Sequence, residues 1–247
     1  MCKFLKISTF LTLVTCTWYF AYAGELPAPF EARYSLYSMG TRFAEMQRSF
    51  SRTDDGNFIY QSSTRTVGLL ALFRKDTIVE KSSWHLQQQD IQPLFYSYEH
   101  TGGRENRNVV INFDWSRRLI INSINGSSWQ MPIQAYIMDK LLYQLAIMYD
   151  LGNGKEKFSY AIADGGKIKT YRFELVGEEP VETPLGTFNA LKLVRYKPNS
   201  KRETTTWCAR ELGYLPIKVE NIENSGRLTT AIIDELTGEQ YEDLKLK

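Results

Sequence analysis

Residues of the kinds that perform catalysis or bind metals are scarce in this sequence. Downstream of residue 23 there are two histidines, His85 and His100, and one cysteine, Cys208. Neither histidine has a second ligand at the spacing of a metal site, and a structural zinc ion needs four ligands. A cysteine nucleophile needs a histidine that the fold brings to it, and a thiol beside a strand tryptophan is more often a small core residue. We therefore expect no metal, no cofactor and no thiol chemistry.

The motifs of several common enzyme classes are also missing from the sequence. There is no G-x-S-x-G stretch for a serine nucleophile. The glycine-containing turns at 102–103, 152–154 and 165–166 lack the strand and helix context of a phosphate-binding loop. A pair of distant carboxylates for glycoside chemistry stays open, because a sheet can bring such residues together. We predict a non-enzymatic protein, with a hydrolase or transferase acting on an envelope polymer as the alternative.

An apolar stretch from Val67 to Phe73 stands out, bounded by Arg74 and Lys75. One interpretation is a connection packed over one end of the core. The other is a rim or lid over a cavity, because exposed apolar patches usually mark interaction sites. Aromatic residues in the predicted strands allow the same two interpretations. For a binding role the candidate ligand-binding residues are Leu69, Leu70, Leu72, Phe73, Trp84, Tyr98, Tyr136, Leu141 and Leu145.

The first 23 residues have the pattern of a secretory signal peptide. Lys3 and Lys6 precede an apolar run, and Ala21-Tyr22-Ala23 forms an A-x-A cleavage site. The run is short and rich in threonine, and no second run of about 18 apolar residues follows. We predict cleavage after Ala23, export to the periplasm and a mature chain that does not span the membrane. The alternatives are an uncleaved anchor or lipid attachment at Cys16.

Composition and charge exclude some classes of protein. The chain has 247 residues, of which 43% are hydrophobic, so it can bury a core and is not expected to be disordered. Its 30 basic and 28 acidic residues include no long basic run, which disfavours nucleic-acid binding. Removal of residues 1–23 balances the charge and leaves Cys208 as the one thiol, so no internal disulfide is expected.

Alternation of apolar and polar residues dominates the chain after Pro29. Phe30, Ala32, Tyr34 and Leu36 fall on one face of the first predicted strand. Turn signals such as Gly102-Gly103 separate the later runs. Further strands are predicted around residues 42–52, 57–67, 76–88, 93–101, 107–114, 118–124, 157–163, 168–177, 187–197, 203–210, 215–223 and 227–236. This pattern predicts a large curved antiparallel sheet or a barrel.

One segment breaks the alternation and predicts a helix. Residues 134–151 contain no proline or glycine, include many good helix formers and are followed by Gly152-Asn153-Gly154. Apolar positions surround most of this helix, so it should be covered on nearly all sides. If the helix starts near Ile137, Asp139 would be an acid in its first turn, favoured by the helix dipole. We predict a mainly β single domain, residues 24–247, with a large curved antiparallel sheet or open half-barrel wrapped around one central α-helix.

Several short motifs resemble those of one family of exported Gram-negative envelope proteins. They are Gly68-Leu69-Leu70-Ala71-Leu72, Lys81-Ser82-Ser83-Trp84, Gln92-Pro93-Leu94-Phe95-Tyr96-Ser97-Tyr98, Asp139-Lys140-Leu141-Leu142, Thr183-Pro184-Leu185-Gly186-Thr187-Phe188, Thr206-Trp207-Cys208-Ala209 and Tyr214-Leu215-Pro216-Ile217. In this order they resemble the family called domain of unknown function 3108, from about Ala32 to Ile233. The resemblance implies a periplasmic protein whose curved sheet embraces a helix, as in half-barrel lipoprotein carriers. It implies no established activity, and Leu142 stands where the family commonly has a serine.

These observations lead to a functional hypothesis. We predict a periplasmic protein with a role in envelope maintenance that binds an apolar ligand, such as a lipid acyl chain, in the groove between sheet and helix, or docks an envelope protein partner. The lipid part of this prediction is an analogy between folds. Besides the enzyme named above, the alternative is a protein-binding scaffold that adds a partner strand to a free sheet edge.

Overall fold

The computed structural model describes residues 26–88, 90–133, 136–196 and 200–246, with side chains as far as residue 242. The predicted signal peptide lies outside these residues, as do Gln134 and Ala135 at the start of the predicted helix. The described residues form fifteen strands, one α-helix and three 3₁₀ segments.

Eight strands make up the N-terminal half of the sheet. They are β1 (Phe30–Ser38), β2 (Thr41–Arg52), β3 (Phe58–Thr66), β4 (Thr77–Gln87), β5 (Asp90–Thr101), β6 (Arg107–Asp114), β7 (Leu119–Ile124) and β8 (Ser127–Pro132). The other half contains β9 (Ile137–Asp139), β10 (Lys157–Asp164), β11 (Lys167–Thr183), β12 (Gly186–Tyr196), β13 (Glu203–Ala209), β14 (Leu215–Ile222) and β15 (Leu228–Thr237). The helix α1 (Tyr143–Gly152) lies between β9 and β10 in sequence, and the 3₁₀ segments are Gly68–Leu72, Arg210–Leu212 and Glu239–Leu246.

All fifteen described strands belong to one sheet, in the order β8-β7-β6-β5-β4-β3-β2-β1-β15-β14-β13-β12-β11-β10-β9. Neighbouring strands are antiparallel except β9 and β10, which are parallel. The two halves meet where β1 pairs with β15, with Glu31 opposite Thr237 and Ser38 opposite Thr229. The prediction of a mainly β protein with a large antiparallel sheet is confirmed. Strands β8 and β9 are the two that the alternation does not predict.

The first strand shows why the alternation predicts so much of the sheet. Phe30, Ala32 and Tyr34 are buried, whereas Glu31 and Arg33 are exposed, as expected for a strand with one covered face. Apolar side chains of this kind contribute roughly 1.5–3 kcal/mol each when they leave water, so the register that buries them is strongly favoured. The local pattern therefore determines both the strand and the face that it buries.

The helix begins later than predicted. It starts at Tyr143, not near Gln134, and Ile137–Asp139 forms β9, paired with Ala161–Ala163 of β10. Tyr136 has a φ of +57°, a left-handed conformation that no α-helix contains. The prediction of one helix over 134–151 is therefore wrong in its first part, because pairing with a distant strand overrides the local helical pattern. The described residues include no helix with the length and apolar character needed to cross a bilayer.

The short helix contributes residues to two clusters of the core. Five of its ten residues are buried and the other five are partly buried. Leu145 and Met148 belong to a core cluster that includes Tyr34, Trp84 and Ile111 of the N-terminal half. On its other side the helix packs in a second cluster, whose members from α1, β10, β12 and β13 include Ala146, Ile147, Leu151, Phe158, Ile162, Leu191, Leu193 and Cys208.

Candidate functional site

Four of the predicted ligand-binding residues lie together at the surface. They belong to the 3₁₀ segment Gly68–Leu72 and to Phe73 after it, which together we call the 68–73 turn. Leu69, Leu72 and Phe73 are 82%, 74% and 85% exposed, and Leu70 is 40% exposed. Of the two interpretations, a connection packed over the core does not fit this degree of exposure. The structure does not bring these side chains to the other predicted residues.

The remaining predicted residues lie mostly in the core. Trp84, Leu141 and Leu145 are buried in one cluster, and Tyr98 packs against it half-buried. The Trp84 ring stacks on Phe58 at 4.5 Å between centroids. Tyr136 is separate from them and 70% exposed. The structure thus places Trp84, Leu141 and Leu145 in contact with other core side chains, and their binding role stays a prediction.

A cavity of about 210 Å³ lies between α1 and the sheet. One water needs roughly 10–15 Å³ on this measure, so the cavity has room for a larger group. Its walls present polar and apolar surface in similar amounts, although most of the lining residues are polar. The helix contributes Tyr143, Gln144 and Ile147, and the rest of the chain contributes Arg48, Glu80, Lys140, Tyr171, Arg195, Thr204, Thr206, Pro216, Val219 and Asn221. Among these described residues three are cations and one is a carboxylate.

Arg48 is the most unusual residue of the cavity. It is only 8% exposed, and its Nε and Nη1 atoms have no hydrogen-bond partner. The guanidinium lies 5.3 Å from the centroid of the Tyr34 ring. Burial raises the pKa of Tyr60, and the nearby Arg48 guanidinium opposes that rise. Buried charged donors without acceptors are costly, so the two unpaired nitrogens of this arginine are an unusual feature of the structure.

A second guanidinium is held in place on the opposite half of the sheet. Arg195 lies with its guanidinium 4.1 Å from the centroid of the Tyr171 ring. Its Nη2 donates a hydrogen bond of 3.1 Å to Thr204 Oγ1, which in turn donates to Asn221 Oδ1 at 2.9 Å. Stacking and hydrogen bonding together fix this side chain in one orientation. The conformational entropy that a long arginine side chain loses when it is fixed is therefore lost on folding and not on ligand binding. The group is therefore oriented before any ligand arrives.

Glu80 is the carboxylate of the cavity, and it already has partners. Tyr96 donates its hydroxyl to Glu80 Oε1 at 2.6 Å, and Lys140 Nζ lies 4.0 Å from the same oxygen. Lys140 also lies 5.4 Å from the Tyr98 ring centroid. Burial, followed by the charge of Glu80, raises the pKa of Tyr96, so this phenol stays protonated and continues to donate.

Asp139 lies beside this group and organises the turn before the helix. Its Oδ1 accepts hydrogen bonds of 2.8 Å from the backbone N–H groups of Leu141 and Leu142, and Ser82 Oγ donates to its Oδ2 at 2.5 Å. The expectation of a first-turn helical acid is thus wrong, because Asp139 precedes α1 and caps the turn leading into it. Burial raises the pKa of Asp139 to about 6, although the three hydrogen bonds lower it.

A second cavity of about 320 Å³ adjoins the first through Tyr171, Arg195 and Thr204. Lys169 and Arg202 line it together with Asp164. The Asp164 carboxylate accepts hydrogen bonds from Lys169 at 2.7 Å and from Tyr171 at 2.9 Å. Burial opposes ionisation of this carboxyl, but the hydrogen bond from Lys169 and its charge hold the pKa below its usual range. Arg202 extends the cationic surface of the first cavity.

The residues considered for enzymatic chemistry are not assembled in the described chain. His85 lies 3.3 Å from Gln92 Oε1, and His100 lies 3.5 Å from Asp76 Oδ1. Cys208 is fully buried as a free thiol, and burial raises its pKa. No group of three potential metal ligands occurs within the described residues.

Sequence reasoning missed the charged residues of the cavity. The signal that identifies them is a charged residue on the apolar face of a strand: Arg48 shares the buried face of β2 with Met46 and Phe50. Glu80 likewise shares the inward register of Ser82 and Trp84 in β4. Such a residue in a half-buried strand must have a buried partner or a ligand.

These features define a mainly β protein built on one open antiparallel sheet, with a cationic cavity beside its single described helix. The chain belongs to the family described as "Protein of unknown function (DUF3108)", which matches residues 32–232. The comparison with curated proteins gave no significant match.

Solved structures resemble the fold at low sequence identity. A crystal structure from Brucella abortus, described as a β-barrel-like protein of domain of unknown function DUF1849, has 5% identity and a TM-score of 0.56 over 85% of this chain and 97% of that chain. A chain from Parabacteroides distasonis, provisionally described as a lipoprotein, has 12% identity and a TM-score of 0.34 over 87% and 98%. A chain from Bacteroides fragilis, provisionally described as an exported protein with a YmcC-like fold, has 10% identity and a TM-score of 0.36 over 87% of this chain and 100% of that chain. The first likeness concerns the fold alone. The TM-scores of the other two chains are too low to support a conclusion about fold or function.

Proposed function

We propose that the protein is a non-enzymatic, exported envelope protein that binds a ligand in the cavity between α1 and the sheet. The observation that carries this proposal is the cavity itself, which has oriented polar walls and a buried arginine with unpaired donors. Binding sites are commonly concave and contain a few fixed polar groups of this kind.

The lining of the cavity supports a sheet that curves around the helix. Beside α1 the cavity is lined by Arg48 of β2 and Glu80 of β4 from one half of the sheet and by Tyr171 of β11 and Arg195 of β12 from the other. Strands so far apart in the sheet order can line one cavity beside a short helix only if the sheet bends between them. An open half-barrel around the helix, with the cavity beside it, is the arrangement that we propose.

The proposed ligand is an amphiphile with its polar end in the cavity. The sequence predicts an apolar ligand such as an acyl chain, but Trp84, Leu141 and Leu145 pack against other core residues. The cavity offers Ile147 and Val219 as apolar surface beside Arg48, Arg195 and Lys140. A polar group with an apolar attachment therefore matches the walls better than a bare hydrocarbon does.

The proposed location follows from the sequence pattern of residues 1–23, and the non-enzymatic role from the arrangement of the cavity. The acids Glu80 and Asp139 are occupied by Tyr96, Ser82 and the backbone. The alternative of an envelope hydrolase or transferase would need one of these carboxylates to act on a substrate. Assays for turnover of envelope polymers test that alternative directly.

Native mass spectrometry of protein purified from bacterial envelopes tests the ligand proposal. We expect a co-purifying species of defined mass, and a higher melting temperature when the stripped protein is given that species back. A single bound ligand stabilises the fold by about 2.7 kcal/mol at a concentration of one hundred times its Kd. Absence of both the bound mass and any stabilisation by lipids or envelope glycans would contradict the proposal.

A second function is favoured by the 68–73 turn, which we propose contacts the surface of a lipid bilayer. Its exposed apolar side chains are followed by exposed Arg74 and Lys75. Met39, 86% exposed, lies at the same end of the sheet, since β1 and β2 meet there. Apolar side chains that enter the interface next to cations are typical of peripheral binding to anionic membranes.

Flotation with anionic phosphatidylglycerol vesicles tests this second function. We expect the double variant Leu69→Ser and Phe73→Ser to lose most vesicle binding, because it removes the side chains that would enter the interface. Leu86→Ser is the matched control, since Leu86 is 41% exposed at the other end of β4. Equal flotation of all three proteins, or none by the unmodified protein, would contradict it.

A further inference from the structure

We propose that the cavity beside α1 binds the phosphate group of an anionic ligand through Arg48, Arg195 and Lys140. This inference rests on the proposed function and names the chemical class of the ligand. A free phosphate ion, a soluble phosphate ester and a lipid headgroup would all present the same group to these side chains.

The first argument is the unpaired guanidinium of Arg48. The side chain is more than nine-tenths buried, lines the cavity and leaves Nε and Nη1 without an acceptor. Arginine does not deprotonate in proteins, so this charge cannot be removed by a shifted pKa. Among the described residues no carboxylate forms an ion pair with this guanidinium, and an anion in the cavity would supply the missing negative charge.

The balance of charge around the cavity gives the second argument. Glu80 is the carboxylate that lines it among the described residues, and its Oε1 is taken up by Tyr96 and Lys140. The guanidinium groups of Arg48 and Arg195 contact aromatic rings and hydroxyls instead of carboxylates. The carboxylates of Asp139 and Asp164 lie behind this lining, near Glu80 and Lys140 respectively. The side chains that line the cavity themselves comprise three cations and one carboxylate, a positive excess that one phosphate group would neutralise.

The geometry of the donors favours an oxyanion of this shape. Planar guanidinium groups match phosphate and carboxylate oxygens, often with two parallel hydrogen bonds. Arg195 is oriented by Tyr171 and Thr204, and the Arg48 guanidinium lies over the Tyr34 ring. Preorganised donors of this kind bind more tightly because less entropy is lost on binding. The volume of about 210 Å³ leaves room for a group of several heavy atoms such as phosphate.

A purely structural role for Arg48 is the competing explanation. In that case the contact of its guanidinium with Tyr34 would stabilise the fold, and its replacement would lower stability whether or not ligand is present. If Arg48 instead serves a ligand, Arg48→Met removes an unpaired buried charge, and the ligand-free variant should melt no lower than the unmodified protein.

Calorimetry and thermal melting of the stripped full-length mature protein test the inference. The probes are inorganic phosphate, glycerol phosphate and short-chain phosphatidylglycerol, each compared with chloride at equal ionic strength because screening weakens such contacts. The variants are Arg48→Met and Arg195→Gln. Arg33→Gln is the matched control, because Arg33 is an exposed arginine on the neighbouring strand that pairs with Glu235.

We expect at least one phosphate probe to bind, and each cavity variant to weaken it about tenfold or more, as for the loss of one charged hydrogen bond. Arg33→Gln should bind like the unmodified protein. Binding of the lipid probe alone identifies a headgroup as the source, whereas binding of all probes identifies the phosphate itself. If Arg48→Met does not fold, Arg195→Gln alone decides the outcome.

Unchanged binding in the cavity variants overturns the inference. If a co-purifying species still binds to those variants, the proposed function survives and only the phosphate assignment fails. If a neutral ligand binds the unmodified protein and no phosphate probe does, the same conclusion holds. Absence of any ligand contradicts both proposals together.

Discussion

Trp129 of the edge strand β8 donates its indole N–H to the backbone carbonyl of Gly166, with 3.2 Å between Nε1 and the oxygen. Gly166 lies in the turn between β10 and β11, near the opposite end of the strand order. The contact therefore joins two parts of the sheet that the backbone ladders leave apart. Its approach is so close that a Cβ on Gly166 would lie 1.8 Å from Trp129 Cζ2.

Replacement of Gly166 by alanine is expected to break this contact and destabilise the fold. Gly166 has a φ of +76°, which costs alanine about 1–2 kcal/mol, and the clash with the indole adds roughly 1–3 kcal/mol. Gly165→Ala is the control, since Gly165 has a φ of +60° and no atom closer than 3.8 Å to an added Cβ. Urea unfolding should rank Gly166→Ala well below Gly165→Ala, and equal losses would show that Trp129 imposes no constraint.

Two of the predicted ligand-binding leucines should respond very differently to truncation. Leu145 is fully buried in the core, whereas Leu69 is 82% exposed in the 68–73 turn. We expect Leu145→Ala to lower the free energy of unfolding by about 2–5 kcal/mol, because it leaves a cavity under the helix. Leu69→Ala should change it by less than about 0.5 kcal/mol. Similar values from chemical denaturation would mean that the 68–73 turn packs against the protein.

The strands were predictable because their signal is local. Residues 30–36 alternate between a buried and an exposed face, and the other long strands behave in the same way. Strand β9 has no such signal, since all three of its residues are buried and its partner β10 lies beyond the helix. The start of α1 could not be predicted for the same reason, because the residues of β9 fit a helical pattern as well as a strand.

Only part of the candidate site could be predicted from the sequence. The exposed run from Leu69 to Phe73 was visible in the sequence, but it is not among the residues that line the cavity. The charged cavity was not visible, because Arg48 and Arg195 lie on the distant strands β2 and β12 and come to line one cavity only in the folded sheet. Alternation identifies the inward positions of each strand, but it does not identify which inward residues meet across the interior.

The thiol of Cys208 should be unreactive in the folded protein. The residue is fully buried and burial raises its pKa, so both access and thiolate formation are suppressed. We expect a thiol reagent to leave the folded mature chain unlabelled and to label one site per chain in guanidinium chloride. Rapid labelling of the native protein at one equivalent would instead show that β13 opens readily.

The buried carboxyl of Asp139 should give the stability of the protein a measurable dependence on pH. Its pKa is raised by burial from 3.8 to about 6, so between these values the folded state binds more protons than the unfolded state. The free energy of unfolding therefore falls as pH rises through this range, by up to about 3 kcal/mol from this group.

The variant Asp139→Asn tests this pH dependence, because its side chain cannot ionise and its amide oxygen can still accept hydrogen bonds from Leu141 and Leu142. Compared by urea unfolding at about pH 4 and about pH 7, the variant should gain stability relative to the unmodified protein at the higher pH. Because all other titrating groups are common to both chains, parallel pH profiles would mean that Asp139 is ionised in the folded state as readily as in the unfolded one.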